Sequence, residues 1–336
     1  MKGLFGKYLI FASLLLVSCQ KPDEPVSLPD KGEAEYVLVE LGEDYLDQLF
    51  FDFETNRVVH ISKVSSWDLA FDASPTGYHV FMNGGGDVFL HNTHETDFDK
   101  VTTAPSKFST EDWMFDRPCG LGDSTAMGDW RNPNGMALNE IYIAKLKINS
   151  GTDVVFKKFR MVLADGSRYV MEYADLDETT AHTITIPKDE KYNYSYFSFA
   201  EGGKIVQPDP PKDTWDIVFT RYRYVYYGYN NGQDFAYMVT GVLTNPYNTT
   251  TAADSTKKFA ELNGEEITKL KYSNHRDVIG FDWKEYSLSA GAYNVNTAKN
   301  YVIKNRRGQY WKIHFLDYYN KQGVKGSPSF EFQRAF

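Results

Sequence analysis

The chain has 336 residues, 42% of them apolar and 16% aromatic, with 36 Lys and Arg against 45 Asp and Glu. That length suits two domains of ordinary size, each able to bury its own core. A net charge of −9 with no basic cluster excludes a face built to track phosphates, and with it nucleic acid as a partner.

The first element in chain order is a processing segment. MKGLFGKYLIFASLLLVSC has Lys2 and Lys7, an apolar run too short to span a bilayer, and small residues before Cys19; residues 1–19 thus have the layout of a signal peptide. LVSC resembles a bacterial lipobox, which implies that Cys19 is lipidated and opens the mature chain. The alternative is an ordinary secreted protein with an unpaired Cys. Residues 20–34 are polar and Pro-rich, an extended tether. Their Lys21, Asp23 and Glu24 resemble the acidic export signal of surface lipoproteins in some Gram-negative anaerobes. With Cys19 lipidated, Cys119 is the one remaining thiol, so no intrachain disulfide is expected.

Beyond the tether the chain reads twice. LFFDFETNRVV (49–59) precedes SWDLAFD, and SYFSFAEGGKIV (195–206) precedes TWDIVFTRY; each is an aromatic pair, a polar turn, an apolar pair and then Trp-Asp. Trp67 and Trp215 are expected in the core of each unit, with Asp68 and Asp216 pointing the other way. The hairpin patterns MVLADGSRYVMEY (161–173) and VIKNRRGQYWKIHF (302–315) align with Gly166 on Gly308, alternating with period two. HTITIPK (182–188) follows the first unit's last hairpin as PSFEFQ (328–333) follows the second's, and precedes unit two as EYVLVEL (35–41) precedes unit one. One strand is therefore expected to serve both units, with domains at 35–188 and 189–336. Residues 97–139, rich in Gly, Pro and Asp, read as loops, and only TKKFAELNGEEITKL (256–270) has helical character. The expected fold is all-β: two tandem antiparallel domains with long loops and little helix.

The motifs SSWDLAFD, FMNGGG, DFDKVTTAP, DTWDIVFTRY, VIGFDWKEY and GQYWKIHFLDYYNKQGVKG, in this order, resemble the HmuY-like haem-binding lipoproteins from about Glu35 to the C-terminus. The resemblance implies an all-β, haemophore-like lipoprotein on the outer membrane, facing the cell surface. Such a protein holds haem in a cleft between two loops and feeds a TonB-dependent transporter. The membrane is then met only through the lipid anchor.

The site residues follow from soft ligands and flat rings. Residues 112–139 hold Met114, Met127 and Met136 beside Trp113, Phe115 and Trp130. Thioethers suit haem iron, and indole or phenyl groups can stack on a porphyrin. The resemblance puts the two axial ligands in two mid-domain loops, where Met114 and Met136 match by position. Met127, His91, His94 and His275 are the alternatives; HNTH also offers the spacing of two metal-binding imidazoles, although solvated histidines fit a polar loop equally. Unit two has no such Met pair; its loop offers only His275, with Met238 a distant candidate. YRYVYYGYNNGQDFAY (222–237) crowds six Tyr into one hairpin. It supports a competing reading, a binding or docking lipoprotein that never touches haem and holds a glycan, a peptide or a transporter on a Tyr-rich face. No G-x-S-x-G, H-E-x-x-H, C-x-x-C, Walker or G-x-G-x-x-G motif is present, and no enzyme is expected.

Overall fold

The computed structural model describes residues 32–107, 109, 112–147 and 153–336. The signal peptide, Cys19 and the first part of the tether lie outside the described residues. Among the described residues, segments rich in aromatic and β-branched side chains form twenty strands. The first copy supplies β1 (Glu35–Leu38), β2 (Asp47–Asp52), β3 (Arg57–Lys63), β4 (Leu69–Asp72), β5 (Val80–Met82), β6 (Phe89–Asn92), β7 (Tyr142–Lys147), β8 (Val154–Ala164) and β9 (Arg168–Asp175). The second supplies β10 (His182–Pro187), β11 (Tyr194–Ser198), β12 (Lys204–Val206), β13 (Ile217–Asn230), β14 (Gln233–Thr244) and β15 (Thr250–Asp254). After a short helix at Gly264–Thr268 come β16 (Lys284–Ser287), β17 (Ala292–Val295), β18 (Asn300–Lys304), β19 (Tyr310–Tyr319) and β20 (Lys325–Arg334). That helix begins just past Asn263, within the one segment expected to carry helical character.

The strands form two sandwiches. In the first, the sheet β12-β11-β4-β5 packs on β10-β9-β8-β7-β6 around Leu69, Phe71, Met82, Phe159, Tyr169 and Phe197. In the second, β14-β13-β2-β3 packs on β1-β20-β19-β18-β15 around Phe51, Ile217, Phe219, Ile313, Phe315 and Phe332. Strands β16 and β17 pair as a separate hairpin.

The two copies exchange their leading strands. The first copy's β1 and β2 pair with β20 and β13, and the second copy's β10 and β11 pair with β9 and β4. Each sandwich is thus completed by the opening segment of the other copy. Residue 188 falls between β10 and β11, within one exchanged segment. Two expectations are corrected here. β10 (His182–Pro187) does not serve both units: it edges the first sandwich, and β1 takes the matching edge of the second. The hairpin alignment was also one strand out, because sheet order matches β8 and β9 with β19 and β20. Buried lysines mark that correspondence. Lys158 on β8 donates to the Phe98 and Val101 carbonyls, and Lys312 on β19 donates to those of Phe259 and Leu262. Alternation is the same in every half-buried strand, so it cannot by itself select the right one.

The Trp-Asp pairs occupy equivalent places. Asp68 Oδ2 accepts the Phe199 N–H at 2.7 Å, and Asp216 Oδ2 accepts the Phe53 N–H at 2.9 Å. Each Asp therefore pins the end of an exchanged aromatic strand. Asn83 Nδ2 donates to the Val64 and Trp67 carbonyls, as Asn245 Nδ2 does to those of Lys212 and Trp215. The Trp rings themselves do not fill the sandwich cores. Trp67 packs edge-on against Tyr196 at 5.0 Å and Trp215 against Phe50 at 4.9 Å, on the faces the inner sheets turn toward each other. Both precede their strands, where the inward alternation of Leu69–Phe71 and Ile217–Phe219 has not yet begun. Among the described residues no helix is long and apolar enough to cross a membrane.

Candidate functional site

The loop between β6 and β7 carries most of the expected site residues, and three ties hold it. Met114 and Leu90 exchange backbone hydrogen bonds of 2.8 and 2.9 Å, so the loop edge adds to β6. Asp116 accepts the N–H groups of Met82 and Ala126, both at 2.7 Å, and burial pushes its carboxyl up to about 7 against the pull of those bonds. Trp130 donates its indole N–H to the Tyr78 carbonyl at 2.8 Å.

These ties sort the candidates. Met127 and Trp130 are enclosed in the core of the first sandwich. Trp113 is 1% exposed in a separate cluster, stacked on Phe156, with Phe115 at its margin. Neither tryptophan presents a free face. Met114, with its backbone fixed to β6, is 36% exposed and lines a cleft of about 430 Å³. Phe115, Arg117 and Ala126 line that cleft from the loop side, and Val225, Tyr227 and Asp234 line it from the β13–β14 hairpin. The Arg117 guanidinium lies 5.4 Å from the centre of the Tyr227 ring. Asp123 and Asp234 add negative charge at the rim.

The other candidates stand apart from this cleft. Met136 ends a turn that begins at Asn132 and is 59% exposed; it is absent from the cleft wall. His91, on β6, donates from Nδ1 to the Asp112 carbonyl at 2.8 Å. His94 is exposed on the following turn, with Nδ1 at 3.2 Å from Glu140 Oε1. Among the described residues no three His, Cys, Asp or Glu side chains converge as a metal set. His275 is exposed, and its backbone N–H meets Ser273 Oγ at 3.2 Å.

Two further spaces were not anticipated. A cavity of about 110 Å³ lies between the inner sheets, lined by Trp67, Tyr196, Asp209, Tyr222 and Arg276 among others. Burial pushes the Asp209 carboxyl up to about 6, while the Tyr196 hydroxyl donates to it. A groove of about 560 Å³ runs along the far face of the β13–β14 hairpin, walled by tyrosines and by Lys284. The Lys284 amine donates to the Thr240 carbonyl at 2.5 Å, and burial pushes it down to about 7. The one signal in the sequence was its setting between aromatic residues in FDWKEY. The roles of Arg117 and Tyr227 left no local signal, because packing of the loop against the hairpin brings them together from residues far apart.

The family comparison agrees with the duplicated architecture. The family model described as HmuY protein matches residues 44–156 and 190–332, one region in each copy. No curated protein matches the chain. Solved structures that align with it include an apo HmuY analog from Tannerella forsythia, at 11% identity and TM-score 0.26, covering 91% of this chain and 99% of that one. A protein assigned as HmuY-like and heme binding, from Bacteroides vulgatus, aligns at 13% identity and TM-score 0.24, covering 90% and 92%. A protein assigned as a lipoprotein, from Bacteroides fragilis, aligns at 14% identity and TM-score 0.23, covering 54% and 90%. At these scores the structural alignments add no argument, and the assignment rests on the family model. Because that model matches most of both copies, the chain belongs to the HmuY protein family.

Proposed function

We propose that this protein is a surface-anchored haem-binding lipoprotein, held by Cys19, that captures haem and passes it to an outer-membrane TonB-dependent transporter. One observation carries the reading in a chain of this family: a backbone-fixed, partly exposed Met114 lines a cleft of about 430 Å³. That volume lies within the ordinary range for small-molecule sites. Phe115 and Tyr227 supply flat walls, and Arg117 supplies a cation for a propionate. Met114 is the first axial ligand in this reading. Met136 is the second, reached by movement of the turn that it ends, since it does not line the cleft. Much of the affinity comes from burying porphyrin surface, at roughly 25 cal/mol per Å² of apolar area.

Haem titrations under oxidising and reducing conditions test the assignment. Met114→Ala is expected to weaken binding and alter the Soret band without abolishing it, with a further loss in the Met114→Ala, Met136→Ala double variant. Reduced iron, the softer state, is expected to bind more tightly than oxidised iron. A double variant with the wild-type spectrum and affinity overturns the ligand pair. A wild type with no saturable Soret shift overturns the haem reading itself. For the anchor, Cys19→Ala is expected to move the protein from the membrane fraction to the soluble one.

A further inference from the structure

Among the described residues three lysines are buried, Lys158, Lys284 and Lys312, and one of them is placed unlike the others. Lys158 and Lys312 each donate to two main-chain carbonyls, and neither lines the groove of about 560 Å³. Lys284 opens β16, is 8% exposed and does line that groove. One hydrogen bond holds its amine, donated to the Thr240 carbonyl of β14 at 2.5 Å. The ring centres of Trp283, Tyr318 and Tyr293 lie 4.6, 4.8 and 5.8 Å from the same nitrogen. Thr240 and Tyr293 are themselves residues of the groove lining, so the amine is bracketed by its wall.

An ammonium has three N–H groups to place, whereas a neutral amine has two and a lone pair. One carbonyl among aromatic rings suits the neutral form. Facing rings attract an ammonium, but by less than burial penalises an unpaired one. No acid restores the charge: among the described residues no carboxylate forms an ion pair with Lys284. Asp282, whose field does favour the ammonium, is itself bound to Lys299 at 2.6 Å. Glu285 is exposed, and Arg221, the other cation of the lining, is held on the Gly85 carbonyl at 2.8 Å. The remaining titratable groups around the amine are the phenols of Tyr45, Tyr226, Tyr237, Tyr286 and Tyr293 in the groove and of Tyr318. Burial is accordingly the main cause that lowers Lys284 to about 7.

We propose that Lys284 is a carbonyl-reactive amine and that the groove admits uncharged aldehydes to it. The Nζ lone pair attacks the aldehyde carbon, and the carbonyl π pair moves onto oxygen. Both amine hydrogens leave with that oxygen as one water, and a carbon–nitrogen double bond joins Lys284 to the ligand. Desolvating a lysine in an apolar pocket is a general way to make it a nucleophile. The site is separate from the Met114 cleft and does not depend on the haem reading.

Reductive labelling tests this. The mature chain is treated with butanal and cyanoborohydride at pH 7, and the alkylation rate of each lysine is read by peptide mass mapping. An amine that titrates near 7 is about half neutral there, against less than about one part in 10³ for an ordinary lysine; lower basicity and burial offset much of that advantage. Lys284 is expected to be labelled roughly tenfold faster than the average exposed lysine. That ratio is expected to fall toward pH 10, where exposed lysines also lose their proton, and to disappear in guanidinium chloride, where the groove is lost. Lys284→Arg is expected to remove the label from that peptide, and the wild-type map decides the question even if this variant fails to fold. Labelling of Lys284 no faster than that of exposed lysines at pH 7, a ratio that does not fall toward pH 10, or the same preference in guanidinium chloride each overturns the proposal.

Discussion

At the scale of single residues, the buried ionisable groups make opposite demands on pH. Asp116 is raised to about 7 by burial, so the folded chain holds its proton where the unfolded chain has lost it. Its contribution to stability is complete below the ordinary carboxylate pKa of about 4 and is lost as pH rises through 7. Lys284 is lowered to about 7, so between 7 and its ordinary value of about 10.5 the unfolded chain binds the extra proton. Stability from that group therefore rises with pH above 7. Urea unfolding of Asp116→Asn between pH 4.5 and 8 is expected to show a flatter decline than the wild type. Lys284→Met is expected to stabilise the protein at pH 6 by up to a few kcal/mol, a gain that vanishes near pH 10. An unchanged slope in either variant removes that group from the account. Asp116 was not legible in the sequence as a structural carboxyl, because its two N–H partners come from β5 and from a loop residue ten positions on.

At the scale of elements, the paired Asn83 and Asn245 brace the turns that carry Trp67 and Trp215. Each buried amide satisfies two main-chain carbonyls. Replacing either by Ala leaves those carbonyls unpaired and is expected to cost about 1–3 kcal/mol, measured by chemical unfolding. Asp216 carries more. It accepts the Phe53 N–H and pairs with Arg307 at 2.8 Å, and Arg307 also reaches Asp52 at 2.6 Å. Asp216→Ala leaves a guanidinium with one partner fewer and is expected to cost about 3–5 kcal/mol. The sequence shows the Trp-Asp pair as a repeat, whereas the Asn pair looks ordinary there. The equivalence of Asn83 and Asn245 becomes visible only when the same kinds of partners recur in both copies. The β13–β14 hairpin, by contrast, announced itself through the six tyrosines crowded into residues 222–237. Which face would meet which cleft depended on strand neighbours that alternation does not name.

At the scale of the whole molecule, exchange makes each copy incomplete by itself. A fragment of residues 35–188 contains three strands that belong to the second sandwich and lacks β11 and β12 of the first. A fragment of residues 64–206 holds all nine strands of the first sandwich. The expected outcome is that 64–206 gives dispersed amide resonances and a cooperative unfolding transition, while 35–188 does not; the reverse result would mean that each copy closes on its own strands. The sequence by itself determined the strand content, the duplication, the family resemblance and the residue types of a soft-ligand loop. Those features are written in local alternation, in composition and in recurring short motifs. Tertiary structure alone decided which copy completes which sandwich, why Trp113 and Trp130 are core and not open faces, and why Met114 and not Met136 lines a cleft. The physical reason is common to all three: strands of one alternating pattern pair interchangeably, so register and partner are fixed by long-range packing that no local segment encodes.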